Sequence, residues 1–330
     1  SVYVAERSTG SMALWTAPAK TTDVFDATLT EDSTIATGDW VVHQVSASGL
    51  GGLVDAEGGF RATLGSGLNV SVEQTGGIPP NTKPKTLNLS ASMDAGAVSL
   101  WADAENDTYY IAVNTGRAVF ERPDEGRLSA KPGEEYTATF TVDDGKLVDS
   151  SQSAEGTFDV VAKSTSLDET PVTVEAAENQ AITGSSTLAP GTEISITVKS
   201  TGDTSPRFYE SGTATVQADG TWSVEFDVFA DQSPGNTFAV EGDVTADGEV
   251  VEVQTATPTE TATPTETVTP TETATPTETA TPTETVTPTA TEPPETDTAT
   301  ETTTTETPGF GVVVALVALL AAALLAGRRE

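Results

Sequence analysis

Residues 136–142 read YTATFTV, and their strict alternation decides the fold class. Tyr136, Ala138, Phe140 and Val142 fall on one side of an extended chain, and Thr137, Thr139 and Thr141 on the other. That period of two predicts a half-buried β-strand. The same alternation recurs in Ile194-Ser-Ile-Thr-Val198 and Trp222-Ser-Val-Glu-Phe-Asp-Val228. Turn signals punctuate the runs at Asp143-Asp-Gly145, Asp219-Gly220, Ser233-Pro-Gly235 and Asp247-Gly248. No stretch ahead of the C-terminal tail carries a sustained 3.6-residue stripe. The expected fold is therefore all-β, with the strands packed as sandwiches.

A boundary is expected near Asp168–Pro171. Residues 169–253 then form an immunoglobulin-like sandwich with Ile194, Ile196, Val198, Trp222, Val224, Phe226, Phe238 and Val240 as its core. Residues 1–168 hold Trp15, Trp40, Phe60, Trp101, Tyr109 and Phe140, enough large side chains for a larger sandwich of their own.

The charge balance narrows the function classes. Fifty acidic residues face fifteen basic ones, a formal charge of −35 over 330 residues. Nucleic-acid binding needs a basic footprint to displace counterions, so it is excluded as an expectation. Residues 1–254 alone hold 39 acids and 13 bases, so the acidity extends into the folded region. Concentrated salt, with a Debye length of roughly 3 Å at 1 M, makes such carboxylate density tolerable. There is no cysteine, hence no disulfide frame and no thiolate chemistry. Ser1 at the start of the chain follows either signal-peptide removal or a start inside the gene, and removal is preferred because the C-terminal topology described below requires export.

From residue 254 to 307 the sequence becomes a Thr-Pro-Thr-Glu-Thr-Ala/Val hexad, with prolines at 258, 264, 270, 276, 282 and 288. Proline at every sixth position stops helix and sheet alike, and too little apolar surface remains to bury. An extended, disordered, low-complexity stalk is expected, at ~3.1 Å per residue roughly 160 Å long at most. Thr/Pro repeats are also the composition of O-glycosylated stalks. Phe310 to Ala326 then gives seventeen uncharged residues, which at ~1.5 Å each span roughly 26 Å, the lower limit for a transmembrane helix. Arg328 and Arg329 follow at once, which places the C-terminus in the cytoplasm and everything before the helix outside.

Constellations of chemical interest are few. The single histidine, His43, lies within a strand-like run and reads as structural. One histidine and no cysteine leave no zinc set and no nucleophile triad, and no cofactor or catalytic residue is expected. Asp103-Ala-Glu-Asn-Asp107 imitates the start of an EF-hand loop, but Thr108 replaces the glycine and Asn114 the bidentate glutamate. It is read as a hairpin turn between Val98–Trp101 and Tyr109–Val113, admitting a weak surface cation site. Three N-glycosylation sequons begin at Asn69, Asn88 and Asn106, with Asn106 the most accessible.

Pro308-Gly-Phe310, the short apolar helix and the terminal Arg328-Arg329, after an acidic Thr-rich stalk, resemble the PGF-CTERM signal of haloarchaeal surface glycoproteins. The runs Asp219-Gly-Thr-Trp-Ser-Val224 and Ser233-Pro-Gly-Asn-Thr-Phe238 look like the β-sandwich modules of such proteins, and Leu29–Val42 is similar, more weakly, to their N-terminal modules. The resemblance implies that an archaeosortase recognises Pro308, Gly309 and Phe310 and joins the new end to a membrane lipid, so that the helix is a temporary signal. It also implies attached glycans and a place at the cell surface among other surface-layer (S-layer) proteins. The leading expectation is a non-enzymatic surface glycoprotein, an S-layer component or an accessory to it. The second is an adhesin or solute-binding protein on a glycosylated stalk, gripping its ligand with aromatic loops such as Pro206-Arg-Phe-Tyr209.

Overall fold

The computed structural model describes residues 6–253, apart from Thr22, Asp124 and Lys146. The stalk expected over 254–307 lies outside the described residues. So does the segment 308–330 with Pro308, Gly309, Phe310, Arg328 and Arg329. Among the described residues, no helix is long and apolar enough to cross a membrane.

The first region contributes β1 (Thr9–Ala17), β2 (Thr30–Glu31), β3 (Thr34–Ala36), β4 (Trp40–Ala47), β5 (Leu68–Gly76) and β6 (Thr86–Leu87). It continues with β7 (Val98–Asp103), β8 (Thr108–Asn114), β9 (Phe120–Arg122), β10 (Glu125–Leu128), β11 (Glu134–Val142) and β12 (Gln152–Val161). Five of these form one sheet in the order β2-β1-β4-β8-β7, and seven form a second, β10-β9-β6-β5-β11-β12-β3. Strand β11, which carries the YTATFTV run, lies inside the second sheet, paired on both sides, with Tyr136, Ala138, Phe140 and Val142 buried. They meet Val41, Val45, Tyr109, Ile111 and Val113 of the opposing sheet in one core. The expected all-β sandwich is present.

The second region contributes β13 (Thr165–Leu167), β14 (Val172–Glu175), β15 (Gln180–Ser186) and β16 (Glu193–Ser200). It ends with β17 (Tyr209–Thr215), β18 (Thr221–Phe226), β19 (Thr237–Gly242) and β20 (Ala246–Val251). The sheet β13-β15-β18 faces the sheet β14-β20-β19-β16-β17, and the chain changes sheets between Leu167 and Val172. All eight residues expected to form this core are buried within a single cluster. Asp247-Gly248, expected as a turn, instead lies inside β20. Gly248 is there for close approach: a Cβ on it would stand 2.2 Å from Cζ of Phe238.

Two features depart from the sequence reading. Three helices of four to seven residues appear, α1 (Gly51–Glu57), α2 (Phe60–Thr63) and α3 (Leu89–Asp94). None is long enough to repeat a helical stripe twice, so periodicity does not register them. The tryptophans of the first region also sit apart from its main core. Trp40, Val42, Tyr110 and Ala112 are buried on the opposite face of the five-stranded sheet, beneath Val24, with Trp15, Phe25 and Trp101 packed around them. Strand β4 is thus buried on both faces, sending Val41, His43 and Val45 one way and Trp40 and Val42 the other.

A buried ion pair anchors the loop that leads into β11. Lys85 Nζ donates to Glu134 Oε1 at 2.6 Å, to Oε2 at 2.7 Å and to the Ser129 carbonyl at 2.8 Å. All three ammonium protons are used, as the burial of a lysine requires. Glu134 also accepts from the Tyr136 hydroxyl at 2.7 Å and the Lys131 N–H at 2.8 Å. Burial alone would raise the Glu134 carboxyl, but these donors together hold it below the ordinary carboxylate range.

Candidate functional site

The residues singled out by the sequence lie on the surface and within the sheets of the first sandwich. Asp103–Asp107 forms the expected hairpin turn, with β7 and β8 paired from Val98↔Val113 to Asp103↔Thr108. Asn106 accommodates the turn by donating its N–H to the Asp103 carbonyl at 3.2 Å, and Asp107 takes a left-handed φ of 52°. The Asp103 carboxylate is turned inward on its own loop, accepting from the Asn106 side chain at 2.8 Å. Among the described residues, no group of three or more acidic or histidine side chains converges on a metal-sized point.

The three sequons occupy different settings. Asn69 is exposed on β5, opposite Thr141 of β11. Asn106 is exposed at the hairpin tip. Asn88 caps α3, its Oδ1 accepting from the Ala91 N–H at 2.9 Å while its Nδ2 donates to Glu121 at 2.6 Å. Asn69 and Asn106 are thus on open surface, but the Asn106 amide is bonded to Asp103 as the Asn88 amide is to Glu121, and each must release or share that bond to carry a sugar.

His43 lies in β4 as expected, 1 % exposed, with its ring tilted edge-on to Phe158 at 5.6 Å. Nδ1 lies 3.0 Å from the Ile111 carbonyl. Burial pushes its pKa down to about 4, against the pull of that carbonyl, so the ring is neutral at ordinary pH.

Asp39, which no sequence signal singled out, joins the two sandwiches. It is 1 % exposed; Oδ1 accepts from the Ala19 N–H at 3.0 Å and Oδ2 from the Ala189 N–H, across the junction, at 2.7 Å. Thr187 Oγ1 adds a bond to the Ala162 carbonyl at 2.9 Å. Burial raises the Asp39 carboxyl to about 6, partly offset by the Ala189 and Ala19 N–H groups and the charge of Lys163. An Asp39→Ala variant leaves two N–H groups unpaired at the junction, at a cost of ~1–3 kcal/mol each. Tryptic cleavage at Lys163 should accelerate, roughly tenfold per 1.4 kcal/mol of lost junction stability. Unchanged cleavage would show that Asp39 does not hold the sandwiches together.

Of the aromatic loop expected to grip a ligand, one ring is packed against the core and one is exposed. Phe208 turns inward against Phe229 and Phe238, at ring distances of 5.4 and 6.3 Å, and leaves Tyr209 alone at 68 % exposure. A groove of about 400 Å³ lies on the first sandwich, along β7, where Phe25 and Trp101 meet Asp23, Arg61, Met93 and Ser99. Its lining comes from four separate segments, which no local motif could announce.

Comparison with known proteins supplies what the geometry does not. Residues 307–329 match the PGF-CTERM motif. The chain is 45% identical to the cell surface glycoprotein of Haloferax gibbonsii, across 100% of its own length and 40% of that protein. It is 30% identical to cell surface glycoproteins 2 and 1 of Haloarcula hispanica, over 76% of this chain and 31% and 32% of theirs. The chain therefore spans about two fifths or less of the length of these curated relatives.

Proposed function

Proceeding from a PGF-CTERM motif at its C-terminus and from similarity to haloarchaeal cell surface glycoproteins along its whole length, we propose that this chain is a non-enzymatic cell-surface glycoprotein of a halophilic archaeon, held to the membrane through its C-terminus. The motif at residues 307–329 is the observation that carries the reading. It follows a Thr/Pro/Glu segment whose composition suits a glycosylated spacer, and the names of the relatives are those of glycoproteins, not of enzymes. The two sandwiches, residues 1–168 and 169–253, would be the displayed modules, and other surface-layer proteins their partners. The dense negative charge suits display in concentrated salt.

In this account an archaeosortase acts at Pro308, Gly309 and Phe310, and a membrane lipid replaces the apolar helix. Asn69 and Asn106 are the most open acceptors for N-linked glycans, and the stalk threonines would take O-linked ones. Changing Pro308, Gly309 and Phe310 together to alanine in the native host should leave an uncut precursor, larger than the processed protein by its tail and lacking lipid. An identical mass and identical membrane partition for variant and parent would refute the assignment of these three residues.

A further inference from the structure

The groove along β7 has a composition that the display role does not use. We infer that it is a saccharide-binding site, taking one or two pyranose rings. Trp101 stacks on Tyr110 of the neighbouring strand at 5.0 Å, and Phe25 closes on both rings at 5.9 and 6.1 Å. This cluster fixes a half-exposed aromatic wall on the edge strand of the sheet. Such a wall offers the apolar C–H face of a sugar a flat surface with no ordering cost. Polar groups stand on the rim. Asp23 is oriented by an Asx turn, with Oδ1 accepting from the Phe25 N–H at 3.0 Å and Thr21 Oγ1 donating to its carbonyl at 2.8 Å. Asp23 is exposed, so its carboxylate can meet hydroxyl groups from solution. Arg61 pairs with Asp94 at 3.5 Å, both side chains more than 60 % exposed, so its guanidinium exchanges that partner at little cost. Ser99 supplies a hydroxyl beside Trp101. A volume of about 400 Å³, aromatic on one side with a carboxylate, a guanidinium and a hydroxyl around it, is at the small end of ligand sites and suits a neutral polyol.

The sugar has two sources. Asn88 caps α3, which carries Met93 of the groove, and Asn106 follows β7, which carries Trp101, so each sequon lies five residues along the chain from a groove side chain. The alternative source is a glycan of another molecule. Binding itself is independent of the surface-display reading, because the full chain made without glycosylation tests it. That protein, in molar salt, is titrated with methyl glucopyranoside, mannopyranoside and galactopyranoside, following tryptophan fluorescence and saturation-transfer NMR. At least one glycoside should saturate in the millimolar range, and Arg61→Ala and Asp23→Ala should each weaken it about tenfold while the near-UV circular dichroism stays unchanged. Natively glycosylated protein separates the sources. A groove filled by the chain's own glycan binds the free glycoside only after Asn88→Gln or Asn106→Gln, whereas one that serves a neighbour binds it without them. No saturation with any of the three glycosides up to tens of millimolar, in protein with a native spectrum, overturns the proposal, as does binding that both rim variants leave intact.

Discussion

Lys85→Met should destabilise the first sandwich by about 3–5 kcal/mol, among the largest effects of any single substitution in the chain. The lost Coulomb attraction is only part of the cause. Glu134 sits 9 % exposed at its side chain, and without Lys85 its charge is left with Tyr136 and one backbone N–H. It must then either stay charged and unpaired or take up a proton. The variant should recover much of the loss when Glu134 is also made Met, since an apolar pair of similar volume avoids the desolvation of both ions. Chemical denaturation at constant salt measures both. A loss below 1 kcal/mol for Lys85→Met would mean that solvent reaches Glu134. The parent's own pH profile carries the same signature. The folded carboxyl is held low, so its contribution is complete above the unfolded value near 4.5 and disappears as the pH falls through the lower, folded one.

A second large effect is hidden in the parent by cancellation. His43 has a folded pKa of about 4 against an ordinary 6.5, so only the unfolded chain takes up its proton between those values. Stability from this residue is complete above pH 6.5 and falls as the pH drops toward 4, by about 3 kcal/mol in all. Asp39 has the opposite sign. With a folded pKa of about 6 against 3.8, it favours the folded state at low pH and loses that contribution as the pH rises toward 6, again by about 3 kcal/mol. The two slopes oppose one another between about pH 4 and 6. Asp39→Asn removes one of them. The stability of this variant relative to the parent should rise by about 3 kcal/mol from pH 4 to pH 6.5. A difference that stays constant over this range would mean that Asp39 remains ionised throughout.

The sequence made the strands and the second core plain, and it did so for a physical reason. A sheet with one face in the core and one in water enforces strict alternation, so β11, β16 and β18 were evident from their own residues. Strand β4 was less transparent. It is buried on both faces, and the run Trp40-Val-Val-His43 gives no sign that Trp40 and Val41 serve different clusters. Asp247-Gly248 has the composition of a turn, yet the glycine is there because Phe238 covers it. The sites divide in the same way. The β7–β8 hairpin around Asp103–Asp107 is local, and was legible. Asp39 is defined by a partner 150 positions away, and the groove by side chains from residue 23 to residue 101, so neither leaves a local mark.

The central claim is that this chain is displayed at the cell surface, glycosylated, and held by its C-terminus. Intact mass spectrometry of the protein isolated from native membranes tests it most directly. The account predicts a polypeptide that lacks residues 310–330, carries a lipid at its new end and is heavier than its sequence by glycan increments. A bare, unglycosylated polypeptide that retains residues 310–330 would contradict it.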